Sequence, residues 1–220
     1  MKRNVSLEEI SDGRLYDEND LVKVGCQDCA GCSACCQGMG DTVLLDPLDA
    51  FRLSAGLHKA FQELVGKEVE LGVADGLILP HLAMNGPQEK CGFLNAEGRC
   101  SVHPFRPGIC RLFPLGRYYE EGTYRYFLQV KECEKKNRTK MKVSKWIDTP
   151  QPAKYKEFVL SWHYFLKDCE KLLEEQQEEE LGKNLSLYLL KLFYFRPYDE
   201  EMDFYDQFAA RLNRAAEDLF

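Results

Sequence analysis

Five of the ten cysteines in this chain fall within eleven residues, at Cys26, Cys29, Cys32, Cys35 and Cys36. A fold held by disulfides does not accommodate that crowding, because each bridge needs separated Cα atoms and converging Cβ vectors. Ten cysteines in 220 residues is also below the density of a small secreted disulfide scaffold. A chain of this length buries a sizeable core without covalent staples. Clustered free thiols then point to metal ligation or thiol chemistry.

Cys29, Cys32, Cys35 and Cys36 spell C-x2-C-x2-C-C, and Cys26 extends the same spacing upstream. Two intervening residues let a tight turn aim two sulfurs at one metal while backbone N–H groups point at them. Three thiols so spaced suit three corners of a cubane iron–sulfur cluster. One pair equally supplies half of a tetrahedral zinc site. The adjacent pair Cys35–Cys36 is more selective, since neighbouring side chains diverge in most backbone conformations. It favours a polynuclear cluster, two nearby metals, or one sulfur outside the coordination shell. Cys91, Cys100 and Cys110 follow in a segment full of turn formers, and Cys133 comes later. With Cys29, Cys32, Cys35 and Cys36 they make eight thiols, enough for two four-thiolate sites or for one cluster and a second metal.

Charge narrows the partners. Lys plus Arg is 29 against 36 for Asp plus Glu, a net charge of −7. A generic phosphate-backbone binder has the opposite balance, so no nucleic-acid partner is expected. The first residues carry no apolar stretch after their basic pair, unlike a signal peptide. No apolar run approaches membrane-spanning length. The expected address is the cytoplasm, without membrane contact, where thiols stay reduced.

Residues 1–25 read as a polar arm. Asp46 is a plausible N-cap with Pro47 in the first helical position, and Leu48, Phe51 and Leu53 continue at helical spacing. Gly56 should end that helix, and a second one should carry Leu57, Phe61, Leu64 and Val65. Strand-like segments follow at Val69–Val73, Gly76–Leu82 and Tyr124–Val130, with loop and a short helical turn across Cys91–Arg117. Three helical patterns close the chain: an aromatic stripe from Tyr155 to Leu173 that includes Cys169, then Leu185–Phe195, then Met202–Leu219. The expected fold class is α+β and predominantly helical. A small loop-rich cysteine core with short strands would occupy residues 1–145, and a helical extension would pack on it over 146–220.

The order C-x2-C-x2-C-C, then C-x-F-L and a glycine turn to Cys100, then R-P-x-x-C-R-x-F-P from Arg106 to Pro114, then Cys133, resembles the YkgJ-type cysteine-cluster family. That family is described as zinc- or iron-chelating, and flagellin lysine-N-methylase is similar to it. The resemblance implies that Cys29, Cys32, Cys35, Cys36, Cys91, Cys100, Cys110 and Cys133 are metal-site positions. It marks Arg106, Pro107, Arg111 and Pro114 as motif residues. Cys26 is an addition to the motif, and His103 stands where tyrosine is common. Arg106 and Arg111 suit charge compensation of an anionic cluster, or capture of an anionic group.

The expected cofactor is an iron–sulfur cluster of the 4Fe–4S kind, with zinc as the alternative. Electron transfer or cluster-assisted protein modification such as methylation is the leading expectation. Two alternatives fit the same residues: a structural zinc module docking a protein partner through its helical extension, and metal storage or delivery. No radical-SAM C-x3-C-x2-C motif, Gly-rich nucleotide loop or thioredoxin-like βαβ context accompanies the thiols, so whether the protein turns over a substrate is left open.

Overall fold

The computed structural model describes residues 6–26, 32–176 and 178–220. A one-turn helix α1 (Leu7–Ile10) leads into strands β1 (Ser11–Tyr16) and β2 (Leu21–Gly25), then helix α2 (Pro47–Leu57). Four strands follow: β3 (Val69–Ala74), β4 (Leu77–Leu82), β5 (Met84–Asn85) and β6 (Lys90–Cys91). After the short helix α3 (Gly108–Leu112) come β7 (Leu115–Glu120), β8 (Thr123–Gln129), β9 (Thr139–Lys142) and α4 (Val143–Ile147). The last third holds α5 (Pro152–Gln176), α6 (Glu179–Leu189), a π-helical segment Leu190–Phe195, and α7 (Phe204–Leu219).

The described residues are 44% helix and 24% strand, a mixed α+β fold and not a predominantly helical one. Much of the difference lies in pairings that only tertiary structure supplies. Residues 11–25 of the expected arm are built into sheets: β1 pairs antiparallel with β8 (Leu15 opposite Phe127), and β2 with β9 (Val22 opposite Met141). Five- and six-residue strands carry too little alternation to be separated from coil when their partners lie more than a hundred residues away.

The helix expected after Gly56 does not form. Instead α2 closes at His58, whose φ of 53° is left-handed, and its N–H bonds the carbonyls of Ala55 and Ser54. Ala60 is extended, and only a 3-10 turn, Phe61–Glu63, follows. Phe61 and Leu64 are still buried, so the apolar spacing was met by a tight turn. The start of α2 is as expected: Asp46 and Asp49 cap each other's backbone amides, with Pro47 in the first helical position.

The aromatic stripe of α5 is core. Trp162 packs on Phe193 with ring centroids 4.9 Å apart, and Phe158 on Phe208 at 4.6 Å. Cys169 is fully buried in the same stripe. Buried Arg211 of α7 donates to the carbonyls of Leu192, Arg196 and Pro197, which satisfies acceptors where the π-helical segment ends. One hydrophobic cluster contains Leu53 of α2, Leu79 of β4, Leu115 of β7 and Phe158 of α5. Among the described residues, no helix is long and apolar enough to cross a membrane.

α5 also docks on the β7–β8 hairpin. His163 stacks on Tyr119 with centroids 3.6 Å apart, and Tyr164 Oη donates to the Glu120 carbonyl at 2.6 Å. Burial, with the Lys167 charge second, holds the His163 imidazole down at about 4. An unfolded histidine titrates near 6.5. The unfolded chain therefore takes up a proton that the folded chain refuses between about pH 6.5 and 4. This site's contribution to stability is complete above that window and is lost as pH falls through it. His163→Phe keeps a ring on Tyr119 and removes the titration. Urea midpoints compared at about pH 7 and pH 4.5 should fall less for this variant than for the wild type. Equal falls would show that His163 carries none of the acid sensitivity.

Candidate metal centre

Three chain segments bring sulfurs together, and each has a local reason for its shape. The first is the 3-10 turn Ala34–Cys36, closed by Cys36 N–H donating to the Ser33 carbonyl at 2.9 Å. Three residues per turn aims consecutive side chains about 120° apart, so Cys35 and Cys36 leave the backbone in different directions. Gln37 is then extended and bridges Lys90, while Gly38 N–H donates to Glu89. The turn is thereby tied to β6, which ends at Cys91.

The second segment is the return from Cys91 to Cys100. Asn95 N–H donates to the Arg99 carbonyl, Arg99 N–H to Asn95 Oδ1 at 2.7 Å, and Gly98 takes a φ of 70° that favours glycine. Leu94 consequently bridges Cys100. The amides of Phe93 and Val102 donate to the sulfurs of Cys91 and Cys100, two residues back in each case. Such bonds favour the thiolate that a metal needs. The third segment is the 3-10 turn His103–Phe105 followed by α3, which carries Cys110.

Cys32, Cys35, Cys36, Cys91, Cys100 and Cys110 line one cavity of about 140 Å³. Cys133 is not on it. It lines a smaller adjoining cavity of about 20 Å³ together with Cys26, Cys32 and Cys35. Cys29 lies outside the described residues. Cys26, the addition to the motif, thus shares a wall with Cys133. Among the described residues, no three His, Cys, Asp or Glu side chains gather closely enough to hold a single ion. The sulfurs ring a space instead of converging on a point.

A hydrogen bond to the Cys36 sulfur, then burial, pushes the Cys35 thiol up. Burial does the same to Cys91, Cys100 and Cys110. Thiols so placed are neutral at pH 7, and a metal that binds them displaces their protons. The Arg106 charge works in the opposite sense on Cys35 and Cys100.

The two expected arginines are placed differently. Arg106 lines the larger cavity, contacts His103 Nε2 through Nη1, and has its Nε buried without a hydrogen-bond partner. Arg111 points elsewhere. Its Nε donates to the Arg106 carbonyl and its Nη1 to that of Asp148, both at 3.3 Å, and its Nη2 to Pro104. It braces the loop that presents Arg106.

Sequence reasoning missed several neighbours. Trp146 and Glu132 line both cavities, and Trp146 Nε1 donates to the Phe113 carbonyl at 3.1 Å. Asp49 reaches from α2 to accept the Gly108 N–H at 2.7 Å. D-P-x-D reads as a helix cap, and nothing in its spacing says that the second carboxylate also holds α3.

Gly56 lets α2 approach this loop. A Cβ there would stand 2.6 Å from the Phe105 ring. Helix propensity alone favours Gly56→Ala by ~1 kcal/mol, whereas overpacking costs about 1–3 kcal/mol. Gly56→Ala should therefore be destabilising in urea titration, and Phe105→Leu should recover the loss. A stabilised Gly56→Ala would mean that Phe105 yields freely.

A family profile described as "CxxCxxCC: Putative zinc- or iron-chelating domain" matches residues 28–144, more than half of the chain. No curated protein and no solved structure matches it. The match opens after Cys26, covers all three cysteine-bearing segments and Cys133, and stops before α5. Its ordered thiols among the described residues are those around the two adjoining cavities, and the chain belongs to this CxxCxxCC family.

Proposed function

We propose that the protein holds an iron–sulfur cluster of the 4Fe–4S kind in the larger cavity. Its four thiolate ligands would be drawn from the six cysteines on that wall, Cys32, Cys35, Cys36, Cys91, Cys100 and Cys110. The carrying observation is six cysteines from three segments around a space of about 140 Å³. One water needs roughly 10–15 Å³ by this kind of measure, so the space is about ten times that of one small ligand. A structural zinc site closes four sulfurs on one ion at about 2.3 Å. Sulfurs spread around a wall suit ligands that each reach a different iron atom.

The donor set fits the group: thiols with backbone N–H donors, an arginine to offset negative charge, and an apolar flank of Phe93, Phe113 and Trp146. Cys133 and Cys26 border the smaller cavity, where a second metal would sit. A bound cluster would supply one-electron chemistry. Electron transfer and cluster-assisted protein modification such as methylation are the activities that follow from it. Arg106, with Arg99 on the same wall, is placed to compensate the cluster's charge or to receive an anionic group.

Protein purified without oxygen should be brown and carry about four irons and four acid-labile sulfides per chain. Cys91→Ser and Cys110→Ser should each lose most of the iron and the visible absorption. Cys133→Ser should keep the absorption and lose only metal bound beyond the cluster. A colourless protein with stoichiometric zinc and no sulfide would replace this reading with the structural zinc module.

A further inference from the structure

The helical extension reaches the metal-bearing helix from outside the family domain. α3 starts at Gly108, two residues before Cys110, and two other elements hold that start. From α2, Asp49 Oδ1 accepts the Gly108 N–H at 2.7 Å. Its Oδ2 accepts the Asp46 N–H at 3.1 Å, and Asp46 Oδ1 in turn accepts the Asp49 N–H at 2.8 Å. Both Asp49 oxygens are thus engaged, and the side chain is almost wholly buried.

From α5, Tyr155 lies against the same residue. A Cβ on Gly108 would stand only 2.8 Å from Tyr155 Oη, so glycine is what lets the two touch. Tyr155 Oη accepts a hydrogen bond from Arg117 Nη2 at 2.7 Å, which pins the hydroxyl from β7. The Arg117 guanidinium also lies 5.5 Å from the Tyr124 ring centre and 5.7 Å from that of Tyr155. None of these residues lines the cysteine cavity.

We infer that Asp49 and Tyr155 are positioning residues of the metal centre. They fix Gly108, and through one short turn of helix they set where Cys110 presents its sulfur. α5 lies beyond the family domain and is nonetheless part of the site's support. The inference rests on the metal-binding reading above. A buried carboxylate that holds the backbone next to a ligand acts as the outer partners of metal ligands do, and loss of such partners costs about 10- to 100-fold in affinity.

Cobalt(II) alone is the probe, titrated anaerobically into reduced protein and followed by its thiolate charge-transfer absorption. Asp49→Ala should weaken cobalt binding by about 10- to 100-fold. Asp49→Asn keeps an oxygen for the Gly108 amide and should recover most of that loss. Tyr155→Phe should lose less than Asp49→Ala. The deciding measurement is the same pair of titrations in a Cys110→Ser background. There Asp49→Ala should change affinity by less than about twofold, because the ligand it positions is gone. A loss of equal size in both backgrounds would make Asp49 a general stabiliser and overturn the inference, as would unaltered binding in Asp49→Ala. If the wild type takes up no cobalt, the same variants are compared by anaerobic reconstitution with ferrous iron and sulfide, and a protein that takes up neither would overturn the metal-binding reading and this inference with it.

Discussion

The sulfurs at this centre come from loops that have little reason to fold alone. Thiolates held together repel one another, and the segments bearing these cysteines are short turns and one helix of five residues. Their placement therefore depends on hydrogen bonds to a frame that is already rigid. The Asp49–Gly108 bond is the clearest of these. It links the N-terminus of a capped helix to the start of the helix bearing Cys110, inside a region where an unpaired carboxylate would be costly. Burial, then the neighbouring Asp46 charge, pushes the Asp49 carboxyl up, and the Gly108 and Asp46 amides that donate to it work in the opposite sense.

The frame is built for that load. α2 is fixed by its reciprocal cap at one end and a left-handed turn at His58 at the other. Its face carries Leu48 and Leu53 into the core shared with the sheets and with the aromatic layer of α5, the π-helical segment and α7. At Gly56 and Gly108 missing side chains allow contact, with Phe105 and Tyr155 respectively. Arg111 then stitches the loop by donating to three backbone carbonyls, whereas Arg106 and Arg99 line the cavity with the thiols.

Much of the centre could be read from residue order. The spacing of Cys32, Cys35, Cys36, Cys91, Cys100 and Cys110 placed them together as candidates, and one cavity receives all six. The capped start of α2 and the aromatic stripe of α5 were equally legible, because caps and apolar periodicity are local signals. The strand pairing of residues 11–25 was not. Neither was the collapse of the expected second helix into a 3-10 turn around Phe61, since an apolar spacing of three or four residues fits either. Cys26 was set apart from the motif by sequence, yet it borders the same small cavity as Cys133.

Composition and cysteine order by themselves determined the chemistry of this protein: thiol donors in a defined succession, with arginines nearby, in an acidic chain. Those properties belong to side chains and to their spacing along the backbone, so they survive without knowledge of the fold. Tertiary structure alone decided which sulfurs share a cavity, which arginines line it with them, and that Asp49 and Tyr155 meet Gly108 before Cys110. The contacts between the Cys32–Cys36 turn and the later cysteines, and those of Asp49 and Tyr155 with Gly108, join residues tens of positions apart, and such distances are closed only when the core brings their elements together.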